Sequence, residues 1–328
     1  MGRAGGTTLS VELVEVVRSG FRECVHRGSV VLLGPDGDVL DQLGEVHTPI
    51  YPRSTNKPMQ AVALLRAGFE PADEAELAIA TASHQGEPRH VEQVRRILDR
   101  YGLAEGQLLC PADLPGEPLA RAAALTGKRG PRPVYMNCSG KHAAMLAACV
   151  VNDWPTEDYL DAAHPLQRVV ADTLIELAGE PESELGIDGC GAPIVPVSLV
   201  NLARAFARLV TSAPGTPERR VADTVRAQPY LVSGTDAGDL ALLSAVDGLL
   251  GKSGADGVYA GALPDGTAFA LKVDDGADRA RLPLVATILL RLGVPDSETL
   301  AELASQPVLG GGARVGTIRS VPGLFPLG

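Results

Sequence analysis

The chain has 328 residues, of which 45% are hydrophobic and only 4% aromatic, so a sizeable core is expected, built from Ala, Val and Leu. Its formal net charge is -11 and it has no run of Lys or Arg, which excludes the basic face that a nucleic-acid-binding protein normally shows. An acidic balance of this kind is typical of soluble enzymes.

Nothing in the sequence indicates export or insertion into a membrane. The stretch from Met1 to Ser10 has no apolar run long enough for a signal peptide, and no segment approaches about 18 uninterrupted apolar residues. The sequence therefore predicts a cytoplasmic protein. The five cysteines are odd in number and widely spaced, which indicates free thiols or metal ligands rather than a disulfide framework.

A β-hairpin is predicted near the start of the chain. Gly28 to Leu33 is an apolar run, the turn Gly34-Pro-Asp-Gly37 follows it, and a second run covers Asp38 to Leu43. Pro-Asp-Gly between two such runs is a hairpin signal because Gly supplies the positive φ that the turn needs.

The middle of the chain shows the helical period instead. Pro58 suits the first turn of a helix that runs to Arg66 and ends before Gly68. After Pro88, apolar residues recur at the helical spacing as far as Tyr101. Further candidate helices are Lys141 to Val151, Leu160 to Leu177, Val197 to Val210, Ala237 to Leu249 and Arg279 to Leu292.

The end of the chain returns to strands. Gly257 to Leu263 and Thr267 to Val273 flank the turn Pro264-Asp-Gly266, and a last extended piece is predicted near Arg314 to Arg319. This order favours an α+β fold, with one antiparallel sheet formed by both chain ends and flanked by helices. Because no repeat and no linker is evident, residues 1–328 are predicted to form a single domain with a largely helical central region.

The segment Ser54-Thr-Asn-Lys57 precedes Pro58 and the first predicted helix. Residues three apart on a helical turn face the same way, so Ser54 and Lys57 are expected to meet. A lysine amine beside a serine hydroxyl can take its proton and so activate the serine as a nucleophile. The motif taken alone favours a simpler alternative, in which Ser54 is an N-cap and Lys57 a solvated surface residue.

Two cysteines occupy positions where thiolates can approach one another. Cys138-Ser-Gly-Lys-His142 opens a helix, and Cys190 lies in the glycine-flanked turn Asp188-Gly-Cys-Gly-Ala. Such a pair can hold a soft metal, with His142 either as a third ligand or as a polar group facing a pocket. The spacing alone favours the alternative of two buried structural thiols.

Two further polar positions are candidate site residues. Ser83 and His84, in Ala82-Ser-His-Gln-Gly-Glu87, suit the rim of a site, or else the end of a helix that stops at Gly86. Lys272 lies on an otherwise apolar predicted strand, where burial of an unpartnered lysine is costly. It is therefore either a solvated residue at the strand edge or a site residue.

Taken together, five segments resemble the Rhizobium etli-type L-asparaginases (asparaginase II, class 3). They are Tyr51-Pro-Arg-Ser-Thr-Asn-Lys-Pro58, Ala82-Ser-His-Gln-Gly86, Asn137-Cys-Ser-Gly-Lys-His142, Asp188-Gly-Cys-Gly-Ala-Pro193 and Ala270-Leu-Lys-Val-Asp-Asp-Gly276. The resemblance covers nearly the whole chain in order, and five motifs in register are far more specific than any one of them.

The resemblance implies a fold related to serine β-lactamases and serine glutaminases, a homodimer, and hydrolysis of L-asparagine to L-aspartate and ammonia. It implies that Ser54 is the nucleophile and Lys57 its general base. Ser83 and Lys272 would form a second Ser-Lys pair in the same pocket.

The resemblance also implies a zinc ion, Zn2+, which assists substrate positioning rather than generating the nucleophile. Its ligands would be Cys138, Lys141 and Cys190. The residues implied in substrate binding are His142, Arg53, His84 and Asp188.

One feature departs from the family pattern. Family members carry another cysteine upstream of the strand that bears the second lysine, whereas this chain has none after Cys190 and has Val258-Tyr-Ala-Gly261 in that region. We expect this difference to affect substrate affinity rather than the Ser-Lys chemistry.

Two alternative functions share parts of this pattern. A β-lactam-interacting protein or another amide hydrolase also uses Ser-x-x-Lys, although the Lys-Thr-Gly motif of β-lactam enzymes is absent and Lys272-Val-Asp stands in its place. The non-enzymatic alternative is a zinc-dependent binding protein that keeps Cys138 and Cys190 as a metal clip.

Overall fold

The computed structural model describes residues 10–181, 183–235 and 237–325. The signal-peptide prediction rests on a segment of which residues 1–9 lie outside this part of the chain. In the described ranges, helices that combine the length and the apolar character needed to cross a bilayer are absent.

The described residues form ten strands. Their bounds are β1 Val11–Arg18, β2 Phe21–Leu33, β3 Val39–Leu43, β4 Gly186–Ile187, β5 Pro193–Ile194, β6 Leu250–Ser253, β7 Val258–Ala262, β8 Ala268–Val273, β9 Ser305–Gly310 and β10 Ala313–Ser320. Eight of them make one sheet in the order β6-β7-β8-β2-β1-β10-β9, with β3 paired to β2. The small hairpin β4-β5 stands apart.

The described residues also form twelve α-helices. They are α1 Lys57–Arg66, α2 Glu74–Thr81, α3 Pro88–Arg100, α4 Pro118–Thr126, α5 Ser139–Val151, α6 Pro165–Ala178, α7 Leu199–Thr211, α8 Pro217–Ala227, α9 Pro229–Val232, α10 Gly238–Ala245, α11 Arg281–Arg291 and α12 Glu298–Ala304. Helices α1 to α10 lie between β3 and β6 in the chain.

The predicted α+β fold is confirmed. Strands β1 and β10, from opposite ends of the chain, pair antiparallel near the middle of the sheet. The two predicted Pro-Asp-Gly hairpins form as β2-β3 and β7-β8, and their glycines Gly37 and Gly266 have φ values of 83° and 96°. That these elements make one domain stays a prediction.

The sheet is covered by helices on both faces because its central strands contain continuous apolar runs, such as Val30 to Leu33 on β2 and Ala268 to Leu271 on β8. On β8, Ala268 and Ala270 pack into a cluster with α1, α7 and α8, whereas Phe269 and Leu271 pack into a cluster with α10 and α11. Successive strand residues point to opposite faces, so a continuous apolar run serves two layers at once. A separate apolar cluster joins α2, α3 and α5 on the helical side.

Two of the predicted helices differ from the observed ones for clear local reasons. The helix predicted from Leu160 begins at Pro165, because the His164 side chain accepts a hydrogen bond from Leu166 N as its N-cap. The helix predicted from Ala237 to Leu249 ends at Ala245, and the chain turns at Gly248 (φ 72°) into strand β6. Strands β1 and β6, and helices α4, α8, α9 and α12, were not predicted.

Candidate active site

A pocket of about 300 Å³ opens where α1 begins, where α2 has ended and where β6 ends. Its wall carries three serine residues, Ser54, Ser83 and Ser253, one from each of these places. The volume lies at the lower end of the range for small-molecule sites, which suits a ligand as small as an amino acid.

Ser54 lies in a short 3₁₀ turn, Arg53–Asn56, that leads directly into α1. Arg53 has a φ of 52°, in the left-handed region that a residue with a side chain seldom adopts, and strain of this kind clusters at functional sites. The end of β6 holds the turn in place: a Cβ on Gly254 would lie 2.8 Å from Pro52 O and 3.2 Å from the Thr55 side chain.

Lys57 is fully buried and points at the segment that follows α2. Its Nζ donates to Ala82 O and to Ser83 Oγ, the latter at 3.0 Å. A lysine suits this position because the last carbonyls of a helix have no partner within the helix and accept hydrogen bonds from a nearby side-chain donor. Among the described residues, Ser54 Oγ has no hydrogen-bond partner, so the lysine that was expected to meet Ser54 directly is bonded to Ser83 instead.

His84 lies beside Ser83, but its ring is engaged within the protein. Its Nδ1 accepts from Gly86 N at 3.0 Å, so Nε2 carries the proton and faces Ser139 Oγ at 2.9 Å. Burial, with smaller effects from His90 and Lys57, holds the pKa of His84 well below its usual range. A neutral ring with both nitrogens occupied fixes the segment that carries Ser83, and it has no free nitrogen for the predicted contact with substrate.

Lys252, on β6, is a fully buried lysine that directly precedes Ser253 of the pocket wall. Its Nζ donates to Ser253 O at 3.0 Å. Burial is the main cause that lowers the pKa of this amine from 10.5 to about 7; Asp239 acts to raise it, and the charges of Lys57 and Arg281 lower it. A lysine with a pKa of about 7 is partly neutral near pH 7, and the neutral amine can serve as a general base.

Asp239 secures the strand that carries this lysine. Its carboxylate accepts hydrogen bonds from the Ser253 backbone N–H, at 3.3 Å, and from the Ser253 hydroxyl. The carboxylate is itself buried, so it holds the end of β6 by charge-assisted hydrogen bonds.

Behind the pocket, Cys138 and Cys190 lie together around Lys141, as the resemblance implies. Lys141 Nζ donates to Cys190 Sγ at 3.1 Å. A hydrogen bond to Cys190, more than any other contact, holds the pKa of Cys138 well below its usual range, against the effect of burial. Burial acts to lower the pKa of Lys141, but the two cysteines outweigh it and raise that pKa.

His142 borders this thiol cluster. Its Nδ1 is 2.7 Å from the Tyr159 hydroxyl, and its buried Nε2 has no hydrogen-bond partner among the residues described. The histidine therefore presents one unsatisfied nitrogen beside Cys190, whose thiol acts to raise the pKa of the ring against the larger lowering by burial. An unsatisfied buried nitrogen is costly unless something else binds it.

Arg53 and Asp188 hold loops together rather than lining the pocket. Arg53 Nε donates to Asp188 Oδ1 at 2.8 Å, and the same guanidinium binds the Asp256 carboxylate. Burial acts to raise the pKa of Asp188, but Lys141 and Arg53 outweigh it and lower that pKa. Neither residue lines the serine pocket.

The family model for L-asparaginase II matches residues 14–320 of the chain. The chain belongs to the L-asparaginase II family. It is therefore an amidohydrolase by family. No curated protein matches the sequence.

Two solved structures are similar to this member of the L-asparaginase II family at low sequence identity. A β-lactamase from Mycobacterium bovis is 16% identical over 80% of this chain and 94% of its own, with a TM-score of 0.44. Mglu, in its native form in the presence of 4.3 M NaCl, is 16% identical over 87% of this chain and 66% of its own, with a TM-score of 0.39. Both are distant from this chain in sequence and in superposition.

The structure does not bring Lys272 to the pocket of this L-asparaginase II family member. Its Nζ donates to the backbone carbonyls of Asp256 and Val273, and it braces the turn between β6 and β7. The interpretation that Lys272-Val-Asp takes the place of a Lys-Thr-Gly motif is wrong, because Lys272 does not line the pocket, whereas Ser253 and Gly254 of Lys252-Ser-Gly254 do. The tripeptide Lys252-Ser-Gly254, shortly before the turn at Gly257, was the sequence signal that could have identified this part of the pocket.

This L-asparaginase II family member is expected to lose stability in acid through His84 and His90. Burial lowers the pKa of both rings below 6.5, so below about pH 6.5 the unfolded chain binds protons that the folded protein does not. The free energy of unfolding should then fall by up to about 1.4 kcal/mol per pH unit for each histidine. Urea unfolding at about pH 7 and pH 5.5 measures this.

In His84→Asn, the amide oxygen can still accept a hydrogen bond from Gly86 N. The free energy of unfolding of this variant should fall less between about pH 7 and pH 5.5 than that of the wild type. His47→Asn, at an exposed position, serves as the matched control and should keep the wild-type loss. Equal acid sensitivity in His84→Asn and the wild type would contradict this assignment.

Proposed function

We propose that this protein hydrolyses L-asparagine to L-aspartate and ammonia through an acyl-enzyme on Ser54. One observation carries the proposal: Ser54 and Ser83 line one small pocket in a chain of the L-asparaginase II family, and two buried lysines are bonded to its serines, Lys57 to the Ser83 hydroxyl and Lys252 to the Ser253 carbonyl. A hydroxyl nucleophile, a proton acceptor and a proton donor are the groups that amide hydrolysis needs.

In the first half of the proposed reaction, Ser54 Oγ attacks the side-chain amide carbon of the substrate. Its proton passes to the lysine pair formed by the two buried lysines Lys57 and Lys252. Lys252 is the member that accepts the proton, because its amine has a pKa of about 7. Ser83 passes its proton to the amide nitrogen and takes one back from Lys57, to which it is bonded, so the C–N bond breaks and ammonia leaves. The proton taken from Ser54 then passes from Lys252 to Lys57, so that both lysines and Ser83 are restored before water attacks. Backbone N–H groups of the turn around Ser54 are the candidates for stabilising the oxyanion.

In the second half, water attacks the β-aspartyl ester and gives a proton to the same lysine pair. The C–O bond to Ser54 breaks, the serine regains its proton, and L-aspartate leaves. Lys252 replaces Lys272 in this proposal as the second lysine, because it is the one whose amine lies beside Lys57 and the pocket wall.

Ammonia release from L-asparagine and L-glutamine by the purified protein tests the proposal. Rejecting one methylene is worth about 10- to 200-fold, so glutamine should be a poorer substrate rather than an inert one. The β-lactam alternative is favoured by Lys252-Ser-Gly254, which resembles the Lys-Thr-Gly motif of β-lactam enzymes and whose Ser253 and Gly254 line the pocket. Nitrocefin hydrolysis tests this alternative. Release of ammonia from neither amide would contradict the proposal.

We further propose that the thiol cluster binds zinc. In the described part of the chain, no group of three or more His, Cys, Asp or Glu side chains is arranged to hold a metal. The residues nevertheless fit the ion: two buried thiols flank Lys141, and the unsatisfied His142 Nε2 faces them. Cys138, Cys190 and Lys141 would hold it, and zinc would supply positive charge for substrate positioning.

Metal analysis of the purified protein tests this site without reference to activity. Cys190→Ser is expected to lose copurified zinc, because it removes a soft ligand. Cys149→Ala is the matched control, since this buried thiol of α5 should leave the zinc content unchanged. Equal zinc content in both variants, or none in the wild type, would contradict the site. The homodimer and the cytoplasmic location stay predictions.

A further inference from the structure

Arg281 is the least exposed of the charged side chains that line the serine pocket. These are Asp113, Arg121, Asp278 and Arg281. The Arg281 side chain is 18% exposed, whereas Arg121 projects from α4, a helix in which only Ala124 is buried. A partly buried guanidinium interacts with a ligand charge more strongly than one that water screens.

Arg281 is anchored to the wall that holds the nucleophile. It is the first residue of α11, and its Nη1 donates to Gly254 O. Gly254 itself packs against the turn from Pro52 to Thr55 that carries Ser54. Gly254 therefore connects the Arg281 guanidinium to the turn that carries the Ser54 hydroxyl.

Arg281 keeps donors free for a ligand. A guanidinium has five N–H donors, and in the described part of the chain its partners are Gly254 O and Asp278, whose Oδ1 lies 3.2 Å from Nη2. Arg53, the arginine that the sequence predicted for substrate binding, is bonded on two sides to Asp188 and Asp256. Arg281 is the partly buried guanidinium that remains available in the pocket.

We propose that Arg281 and Asp278 form the subsite for the α-amino-acid head group of the substrate. Arg281 binds the α-carboxylate through its planar fork, and Asp278 binds the α-ammonium. A carboxylate and a guanidinium 3.2 Å apart match the two opposite charges that an amino acid carries on one carbon. This inference rests on the proposed hydrolysis of L-asparagine and adds how that substrate is held.

Two truncated amides separate the roles of the two residues. β-Alaninamide is asparagine without its α-carboxylate, and succinamate is asparagine without its α-ammonium. Arg281→Met is expected to lower kcat/KM for L-asparagine by about 10- to 150-fold, mainly through KM, because hydrogen bonds to the carboxylate are lost. The same substitution should change kcat/KM for β-alaninamide far less.

Asp278→Asn is expected to have a smaller effect, because the Asp278 side chain is 75% exposed. We expect a loss of about 2- to 5-fold for L-asparagine. The kcat/KM for succinamate should rise relative to that for L-asparagine in this variant, since the Asp278 carboxylate that repels the carboxylate of succinamate is gone. Arg281→Lys, which keeps the charge without the fork, should recover only part of the loss. Arg291→Gln is the matched control with kinetics close to the wild type, because Arg291 is an exposed arginine at the other end of α11 and does not line the pocket.

Binding of L-aspartate, measured by calorimetry, makes the test independent of turnover. Weaker binding in Arg281→Met than in Arg291→Gln supports the subsite even if the wild type hydrolyses no asparagine, an outcome that contradicts the proposed function alone. An unchanged KM for L-asparagine and unchanged aspartate binding in Arg281→Met overturn the subsite and leave the hydrolysis standing. A wild type that neither binds nor hydrolyses these amino acids overturns both.

Discussion

Ser54→Ala is expected to lower the turnover of L-asparagine by about four to six orders of magnitude, the loss that follows removal of a catalytic serine. The substitution removes the only group that forms the acyl-enzyme in the proposed mechanism. The free energy of unfolding should change little, because Ser54 Oγ has no hydrogen-bond partner among the described residues. Ammonia release and urea unfolding on the same preparation measure the two effects.

Ser83→Ala is the informative comparison, since both serines line the pocket. Ser83 accepts from Lys57 and transfers a proton in our proposal, so we expect a loss of about two to four orders of magnitude. A variant Ser54→Ala that keeps most of its activity, beside an inactive Ser83→Ala, would show that the roles of the two serines are reversed.

Lys252→Met is expected to abolish most of the activity and yet stabilise the protein. Burial lowers the pKa of Lys252 from 10.5 to about 7, so between these values the unfolded chain binds a proton that the folded protein does not. The stability of the wild type therefore falls as the pH falls from 10.5 to about 7. Methionine fills a similar volume without this penalty, and a gain of about 1 to 4 kcal/mol is expected at pH 7.

Urea unfolding at about pH 7 and pH 9.5 checks this prediction, because the gain should shrink at the higher pH. Lys272→Met is the matched control: its amine bonds two backbone carbonyls, so its loss should destabilise the protein and leave the pocket intact. A Lys252→Met variant that is active, or less stable than the wild type at both pH values, would contradict the role given to this lysine.

Local sequence signals predicted much of the fold. The Pro-Asp-Gly turns marked β2-β3 and β7-β8 because a turn is a property of four neighbouring residues. Strand β6 was missed because it has only four residues and begins soon after α10. A segment of this length is too short to show either the helical or the strand periodicity of apolar residues. The pairing of β1 with β10 was expected only in outline, since register between chain ends leaves no local trace.

The candidate site divides in the same way. Ser54, Lys57 and Ser83 lie in short motifs, and the structure places all three at one pocket or directly beside it. Lys252 and Lys272 both lie on apolar strands, so the sequence could not distinguish the buried amine from the one that braces a turn. The direction of the His84 ring was equally beyond sequence reasoning, because it depends on Ser139 more than fifty residues away.

The acyl-enzyme on Ser54 is the central claim, and trapping it is the most direct test. The protein is mixed with L-asparagine, quenched in acid within the first turnovers, and digested with trypsin for mass mapping. Arg66 lies between Ser54 and Ser83, so the two serines fall on different peptides. We predict an aspartyl ester on the peptide that contains Ser54; an ester on the Ser83 peptide, or turnover without any ester, would contradict the account.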